Sequence, residues 1–227
     1  IFIFKTNSAG TLLWKKVLYV NIDDDHTVND VAEVVDGYIF VGYVSEIGNP
    51  DIGDAIILKT DFLGNLQWFN KFGGAGNHQE FTSAETLTSG EVLIGGVNDG
   101  DNMWLIKINS SGSITWGYEY DPGGGWLGPD VAISFDAFET ADNKYASLGM
   151  YVEFNLPPTI GSYLTKIEPS NGNIIFQKFY SSGMATIIPE GIQTTDQGYL
   201  MSMMAQQATG FNFHVLKTDL NGDTPPS

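Results

Sequence analysis

The sequence contains no cysteine, no arginine and no apolar run long enough to cross a bilayer as a helix. Without cysteine there are no disulfides, no thiolate zinc ligands and no cysteine nucleophile. Without arginine, the planar donor group that binds phosphate or carboxylate through paired hydrogen bonds is missing. A membrane helix needs roughly 18 or more consecutive apolar residues, so we expect no transmembrane segment. These absences remove several kinds of site and leave the cellular compartment open.

Positive charge is scarce as well. The chain has 10 lysines against 27 acidic residues, and its formal net charge is −17. A field of that sign repels phosphate backbones and anionic lipid headgroups, so we expect no nucleic-acid partner. Hydrophobic residues make up 42% of the chain, which is enough for a packed core.

One motif recurs along the chain: a lysine, then a glycine, then a large aromatic residue. The lysines are Lys5, Lys59, Lys107, Lys166 and Lys217, and the glycines are Gly10, Gly64, Gly112, Gly172 and Gly222. The aromatic residues are Trp14, Trp68, Trp116 and Phe176; the fifth copy has none. Successive lysines are 48 to 59 residues apart. A period near 50 residues is typical of β-propeller blades.

Each repeat divides into four short runs of strand character separated by turn residues. In the best-defined repeat the runs are 80–87, 91–97, 103–109 and 113–120. Four antiparallel strands in ~50 residues, repeated, form a propeller blade. The sequence therefore predicts an all-β fold with little helix, a β-propeller that is incomplete and has four to five blades. We expect one region, 1–227, with blade repeats near 30–79, 80–129 and 130–188 and partial repeats at 1–29 and 189–227.

The repeated residues have structural interpretations. The glycine suits a tight hairpin turn that requires positive φ. Trp14, Trp68, Trp116 and Phe176 are expected to fill the wedge between neighbouring sheets. Five of the ten lysines occupy one repeat position, and an acid recurs near the start of each first strand, at Asp30, Glu80, Asp130 and Glu190. We predict one structural lysine–acid pair per blade, because a paired buried charge is tolerated. The alternative is a ring of these acids around the propeller axis that binds a cation or a polar ligand.

Other candidates lie outside the repeat positions. Asp23, Asp24 and Asp25, followed by His26, are expected in a loop between a fourth strand and the next first strand, on the same face as His78. A solvated acidic loop without any cofactor is the main prediction, with calcium held by loop oxygens as the alternative. Trp126 lies in the inserted stretch GGGWLGP. An exposed ring there would stack on a sugar or contact a partner protein, unless it folds back onto the propeller.

The stretches KTDFLGNLQWFNKFGGAGNHQEF and DGYIFVGY carry a resemblance. They are similar to the KTDxxGNxxWxKxxGGxxxDE and GGYIxxGxT repeats of exported proteins from Bacteroidota-type bacteria. The resemblance covers nearly the whole chain and implies a secreted or cell-surface protein, outer-membrane associated on the extracellular side and often a type IX secretion cargo. It further implies that the region belongs to a larger chain or complex. Phe176 and Glu168-Pro169 depart from the pattern, and the family offers no catalytic residues.

The function expected from architecture and resemblance is a non-catalytic binding module. It would bind a protein partner or a glycan through its loop face. One alternative is a polysaccharide-active hydrolase or lyase that uses acidic residues on the propeller face. Another is a structural spacer within a large adhesin.

Overall fold

A computed structural model describes residues 1–19, 24–46, 49–74, 78–99, 101–120, 131–153, 159–180, 186–207 and 210–224. Within these ranges the chain forms seventeen β-strands and no helix, so no described helix could span a membrane. The strands are β1 (Phe2–Thr6), β2 (Leu12–Val17), β3 (Asp24–Val34), β4 (Gly37–Glu46), β5 (Asn49–Thr60), β6 (Leu66–Phe72), β7 (Glu80–Thr86), β8 (Val92–Asn98), β9 (Asn102–Ile108), β10 (Ile114–Tyr120), β11 (Val131–Glu139), β12 (Tyr145–Glu153), β13 (Thr159–Ile167), β14 (Ile174–Tyr180), β15 (Thr186–Gln193), β16 (Tyr199–Gln207) and β17 (Gly210–Lys217).

The strands pair with their neighbours in sequence and form five antiparallel sheets. Three sheets have four strands each, β3–β6, β7–β10 and β11–β14, and they are flanked by the two-stranded sheet β1–β2 and the three-stranded sheet β15–β17. The all-β class and the four-stranded antiparallel repeat are confirmed. Two predicted repeat boundaries were wrong. The boundary at 30 falls inside β3, and the boundary at 189 falls inside β15. Both first strands begin earlier in the chain than the apolar pattern indicated, because the residues before these boundaries already pair with the second strand.

The core is divided into four apolar clusters, each between two consecutive sheets. Strand β4 shows how one strand serves two of them. Tyr38 and Phe40 pack towards the sheet β1–β2, whereas Ile39 and Val41 pack towards the sheet β7–β10. Because side chains alternate across a strand, a central strand buried on both faces is apolar throughout. Each inner sheet is therefore a layer that is buried by its two neighbours.

A ring-on-glycine contact recurs at the sheet interfaces. The aromatic residue of one sheet's last strand lies against the turn glycine of the next sheet. A Cβ on Gly64 would lie 2.8 Å from Trp14, and a Cβ on Gly112 would lie 2.9 Å from Trp68. Trp14 Nε1 also donates to the carbonyl of Phe62, 3.0 Å away. Large rings therefore fill the space between neighbouring sheets, the position that the repeat predicts for them.

The same contact recurs with variations in the later sheets. Gly172 lies against Tyr118, two residues beyond Trp116, and Trp116 Nε1 donates instead to the carbonyl of Pro169, 2.6 Å away. Gly222 lies against Phe176. The ring identity changes between sheets, but the turn it packs on does not.

These turn glycines are required for a second reason. Gly10, Gly64, Gly112, Gly172 and Gly222 all have φ between 71° and 81°. That left-handed conformation is costly for residues with a Cβ. In four of the five turns, an Asn or Asp two residues after the lysine accepts backbone N–H groups of its own turn, as Asp61 does from Leu63 and Asn65 at 2.9 Å. The lysine, the Asx residue and the glycine thus define one hairpin geometry.

Substituting Gly112 tests the contact. In Gly112→Ala, we expect a loss of unfolding free energy of about 2–4 kcal/mol, because left-handed strain of about 1 kcal/mol adds to the displacement of the Trp68 ring. Gly90→Ala is the matched control: its φ is 83°, but no atom lies within 4 Å of the added Cβ. It should lose only about 1 kcal/mol. Urea unfolding followed by tryptophan fluorescence measures both, and equal losses would show that the ring contact contributes nothing.

Candidate functional site

Each first strand carries a β-bulge at one repeat position. The register shifts between Val28 and Asp30, between Phe81 and Ser83, between Ser134 and Asp136, and between Ile187 and Glu190. In three sheets the bulge lies close to a glycine of the second strand. A Cβ on Gly42, Gly96 or Gly149 would lie 2.0–2.1 Å from a first-strand carbonyl oxygen. The bulge therefore requires glycine on the partner strand, and it re-aims the side chains that follow it.

Side chains at the bulges tie successive first strands together. The side chain of Asn29 donates to the carbonyl of Phe81 at 2.8 Å, and Thr82 Oγ1 donates to the carbonyl of Ser134 at 2.5 Å. The next residue acts as an acceptor. Asp30 accepts the backbone N–H of Ala84 at 2.8 Å, and Asp136 accepts the backbone N–H of Gly191 at 3.0 Å. Strands β3, β7, β11 and β15 thereby converge.

A cavity of about 480 Å³ opens where these strands meet. Its described lining residues are Asn29, Asp30, Thr82, Ser83, Phe135, Asp136, Glu190, Gly191, Ile192, Leu200, Met201, Ser202 and Val215. Three of them are carboxylates and none is a lysine. One wall, from Phe135 and the strands β15–β17, is mainly apolar. This cavity is the candidate functional site.

Burial and mutual repulsion disfavour the negative charges here. Burial raises the pKa of Asp136 to about 6, and the negative charges of Glu190 and Asp30 act in the same direction. Burial likewise raises the pKa of Glu85, on β7, to about 7, with the charges of Asp136 and Glu139 adding to the effect. Such shifts arise where carboxylates are buried without a nearby cation.

Ser83 occupies the same repeat position as these acids but lacks a partner. It is 5% exposed, and its Oγ has no hydrogen-bond partner among the described residues. In the sheets on either side, the equivalent Asp30 and Asp136 reach a backbone N–H of the following first strand. A serine side chain is shorter, so a buried acceptor is left beside the cavity.

The repeated lysines pair with acids other than those predicted. Lys59 binds Asp36 at 2.7 Å, Lys107 binds Glu91 at 2.8 Å, Lys166 binds Asp142 at 2.9 Å and Lys217 binds Asp196 at 2.9 Å. These acids lie in or just after the turns between first and second strands. Lys5 donates instead to the hydroxyl of Tyr38 in the next sheet. The repeat lysine forms an ion pair in four sheets, but the assignment to Asp30, Glu80 and Glu190 was wrong, because the lysine points to the turn and not to the bulge.

The four predicted acids are not equivalent to one another. In the pairing of first with second strands, Asp30 and Glu190 are equivalent to each other, and the residues at the same position in the sheets β7–β10 and β11–β14 are Ser83 and Asp136. Glu80 lies three residues before Ser83, where it accepts a hydrogen bond from Asn29 at 2.8 Å and pairs with His78 at 3.2 Å. Asp130 lies outside the described residues. The acids facing the cavity are therefore Asp30, Asp136 and Glu190.

The candidates outside the repeat positions do not form one site. Asp24, Asp25 and His26 lie within β3 and pair with Glu46, Ser45 and Val44, so the predicted loop is wrong for them. Charged residues are tolerated there because β3 is an edge strand. Asp23 and Trp126 lie outside the described residues.

His78 packs between two elements of neighbouring sheets. Its ring lies 5.5 Å from that of Tyr43, edge to face, and its Nε2 lies next to Glu80. Over the described part of the chain, no group of three histidine or acidic side chains is placed to share a metal ion. The calcium alternative thus gains no ligand set from these residues.

Asp136 and Ser83 are cavity residues that the sequence did not indicate, and neither did it indicate Glu85, whose charge interacts with that of Asp136. The residue at the bulge position precedes its repeat lysine by 24 to 30 residues, because the intervening loops differ in length. The available signal was the second-strand glycine in VGY, GGV and LGM, at Gly42, Gly96 and Gly149. The bulge acid or serine pairs with the residue immediately before that glycine, so aligning on it would have brought Asp30, Ser83 and Asp136 together.

No protein-family model matches the chain, and no curated protein matches it. The resemblance to exported bacterial repeats therefore stays a prediction.

The raised pKa values predict that the protein is more stable at pH 5 than at pH 8. A carboxyl group with a higher pKa in the folded state adds stability when protonated and loses it as pH rises through about 6 to 7. In Glu85→Gln, unfolding free energy at pH 8 should increase by about 1 kcal/mol after allowance for its partial exposure, with little change at pH 5. Urea unfolding at both pH values measures this. Glu33→Gln, which removes the same charge at an exposed site, should keep the wild-type pH dependence; the idea fails if Glu85→Gln also keeps it.

Proposed function

We propose that the chain is a non-catalytic β-propeller module of a secreted or cell-surface protein, and that it binds a protein partner or a glycan. The observation that carries the binding function is the cavity at the convergence of the first strands. The loop face predicted from the sequence gains less support, because Trp126 and Asp23 lie outside the described residues. The extracellular location depends on the sequence resemblance alone.

The propeller arrangement is supported by the repeated interfaces. Every described sheet packs on the next through the same faces, and β3, β7, β11 and β15 all contribute to one cavity. First strands of consecutive blades line the axis of a propeller, so convergence on one cavity is what blades would produce.

Membership in a larger chain or complex is supported by the outermost faces. Phe2 and Phe4 on β1 are each 61% exposed, and Phe213 on β17 is 79% exposed. The equivalents of Phe4 and Phe213 in the sheet β3–β6 are Leu58 and Ala55, which are fully buried by neighbouring sheets. Exposed apolar clusters of this kind are typical of surfaces that contact other protein.

A binding role suits the chemistry of the cavity. Pockets for ligands combine an apolar wall with a few polar groups that fix orientation, and this cavity has both. The alternative of a polysaccharide hydrolase or lyase is favoured by one observation, the raised pKa of Asp136 beside Glu190. However, Asp136 accepts the backbone N–H of Gly191, a role in holding the sheets together. Release of reducing ends from polysaccharides by the purified chain would favour the enzyme.

Spin-label distances test the blade arrangement, and the cysteine-free chain allows single labels without background. Ala9, Leu63, Ser111 and Asn221 occupy equivalent exposed turn positions in four sheets. One variant carries labelled cysteines at Ala9 and Ser111, and a second carries them at Ala9 and Asn221. Sheets stacked in a line, ~10 Å apart, would make the 9–221 distance about twice the 9–111 distance. Blades arranged around one axis would make the 9–221 distance well below twice the 9–111 distance, because straight-line distances between points on a circle are not additive. Double electron–electron resonance measures both pairs.

A filled cavity tests the binding function. In Val215→Trp, the added ring should occupy the cavity. Binding to glycans on a microarray, or to an extracellular protein captured by chemical cross-linking to the wild-type chain, should fall by about tenfold or more. Val35→Trp is the matched control, since Val35 is 88% exposed on the β3–β4 turn and does not line the cavity. A ligand that binds both variants equally well would place the site elsewhere and remove the support for this proposal.

A further inference from the structure

The first and last sheets hold the strands of one blade between them. In the inner sheets the repeat lysine lies on the third strand and the turn glycine follows it. By the same criterion, β1 with Lys5 and β17 with Lys217 are both third strands. The sheet β1–β2 therefore consists of a third and a fourth strand, and the sheet β15–β17 of a first, a second and a third. Strands β15, β16, β1 and β2 would make one complete blade, with β17 as a duplicate.

Strand β1 resembles the inner third strands more closely than β17 does. Three residues before the lysine, β1 has Phe2 and β17 has His214, whereas the inner strands carry a large apolar or aromatic residue: Ile56, Trp104 and Tyr163. Phe2 and Phe4 point away from the sheet β3–β6 and are each 61% exposed. On the edge of β16, Phe4 would take the place of Leu216, which packs on the cluster between the last two sheets. Burial of apolar rings there would stabilise the arrangement.

The opposite face of β1 is already covered, whereas that of β17 is not. Ile3 packs on the sheet β3–β6 and is 6% exposed, but Val215, which has the same position on β17, is 69% exposed. The lysines show the same difference. The side chain of Lys217 is 38% exposed in its ion pair with Asp196, against 6% for Lys59 in its own pair. In the place of β17, β1 would be buried on both faces, as the inner third strands are.

The exchange would also give Lys5 the partner that its sheet lacks. In the other four sheets the repeat lysine binds an acid of the turn between first and second strands. The sheet β1–β2 has no such turn, and Lys5 donates to the hydroxyl of Tyr38. With β1 against β16, Lys5 would lie opposite Leu200, as Lys217 does in the structure. Its ammonium group would then lie next to Asp196.

The two ends of the array face each other across the cavity. Asn29 and Asp30 of β3 line it on one side, and Ile192 and Val215 of the last sheet line it on another. The first strands β3, β7, β11 and β15 thus surround one space. Four blades are within the range that propellers use, so these first strands are enough for a closed ring.

One repeated hydrogen bond is left open where the ring would close. Asp30 and Asp136 each accept the backbone N–H that follows the bulge of the next first strand. Glu190 is the equivalent acid of β15, and no described first strand follows it along the chain. The equivalent donor of β3 is the N–H of Val31, which binds the carboxylate of its own neighbour Asp30 at 2.7 Å. In a closed ring, Glu190 would accept this N–H.

We propose that β1 exchanges with β17 on the edge of β16 within one chain. The sheet β15–β16–β1–β2 then closes a ring of four blades around the cavity, and β17 is released. The exchange presupposes the propeller arrangement proposed above and is independent of what the cavity binds. Because one strand pairs as the other leaves, backbone hydrogen bonds are replaced, and the two arrangements are alternative states of one chain. The released strand carries Phe213, which would be free to contact other protein.

Disulfide trapping in the cysteine-free chain tests the exchange. Ser202 lies directly opposite Val215 in the structure and would lie opposite Ile3 after the exchange. Ile3→Cys with Ser202→Cys therefore reports on β1, and Ser202→Cys with Val215→Cys reports on β17, since opposed residues of paired strands are close enough for a disulfide. Slow oxidation by glutathione, followed by peptide mass spectrometry, measures the rate of each link. Non-reducing gels separate links within a chain from links between chains.

A charge placed on either competing strand should shift the balance. Leu216→Asp puts a carboxylate where β17 packs on the core, so it should raise the rate of the 3–202 link by about tenfold. Phe4→Asp is the matched control, because it adds the same charge at the equivalent position of β1 and should lower that rate by a similar factor. Circular dichroism checks that each variant is folded, and the cysteine pairs without either aspartate decide the outcome if one is not.

The expected result is a 3–202 link within single chains that forms faster in Leu216→Asp. Absence of this link while the 202–215 link forms would overturn the proposal, and so would a 3–202 link found only between chains. A 3–202 link whose rate Leu216→Asp leaves unchanged would show that β1 reaches β16 without displacing β17, which also contradicts the exchange. None of these failures affects the binding function of the cavity, which the loss of ligand in Val215→Trp tests separately.

Discussion

The fold depends on one contact that is repeated from sheet to sheet, a large ring of one sheet packed on the turn glycine of the next. Trp14 on Gly64, Trp68 on Gly112 and Phe176 on Gly222 are the same contact in different sheets. The glycine has to be present for its positive φ, and the absence of a Cβ then leaves space for the ring. A single residue type therefore sets both the hairpin within a sheet and the distance between sheets. Because each sheet is buried by its neighbours, the array is stable only as a stack.

This stacking determines what happens at the first strands. Each of them lies near the cavity, where a bulge directs side chains towards the following sheet. Hydrogen bonds from Asn29 and Thr82, and to Asp30 and Asp136, link the strands across sheet boundaries. The acids are suited to this task because a carboxylate is a strong acceptor for backbone N–H groups. Their convergence has an electrostatic cost, which appears as the raised pKa of Asp136.

The strand order and the repeat were predictable because both follow from local patterns. Alternation of apolar residues and the turn glycines located β7–β10 to within one residue at each end. The cavity was not predictable in the same way. Its acids are separated from the lysine motif by loops of variable length, so aligning on the lysine grouped Glu80 with Asp30, when Ser83 is the residue at that ladder position. The lysine partners Asp36 and Asp142 were missed for a related reason. In the sequence, these acids cannot be distinguished from other polar turn residues. Only the strand pairing places the lysine side chain next to them.

The same carboxylates that hold the sheets together also define the chemistry of the cavity, which links binding to stability. Asp136 accepts an N–H from β15 and faces the negative charges of Glu190 and Asp30. A ligand that binds only the folded state also stabilises it by mass action. The cavity and the contacts between sheets therefore share residues. A substitution at Asp136 would change both the cavity and the sheet contact. Glu190 is exposed and its side chain makes no described backbone contact, so a substitution there would change the cavity alone.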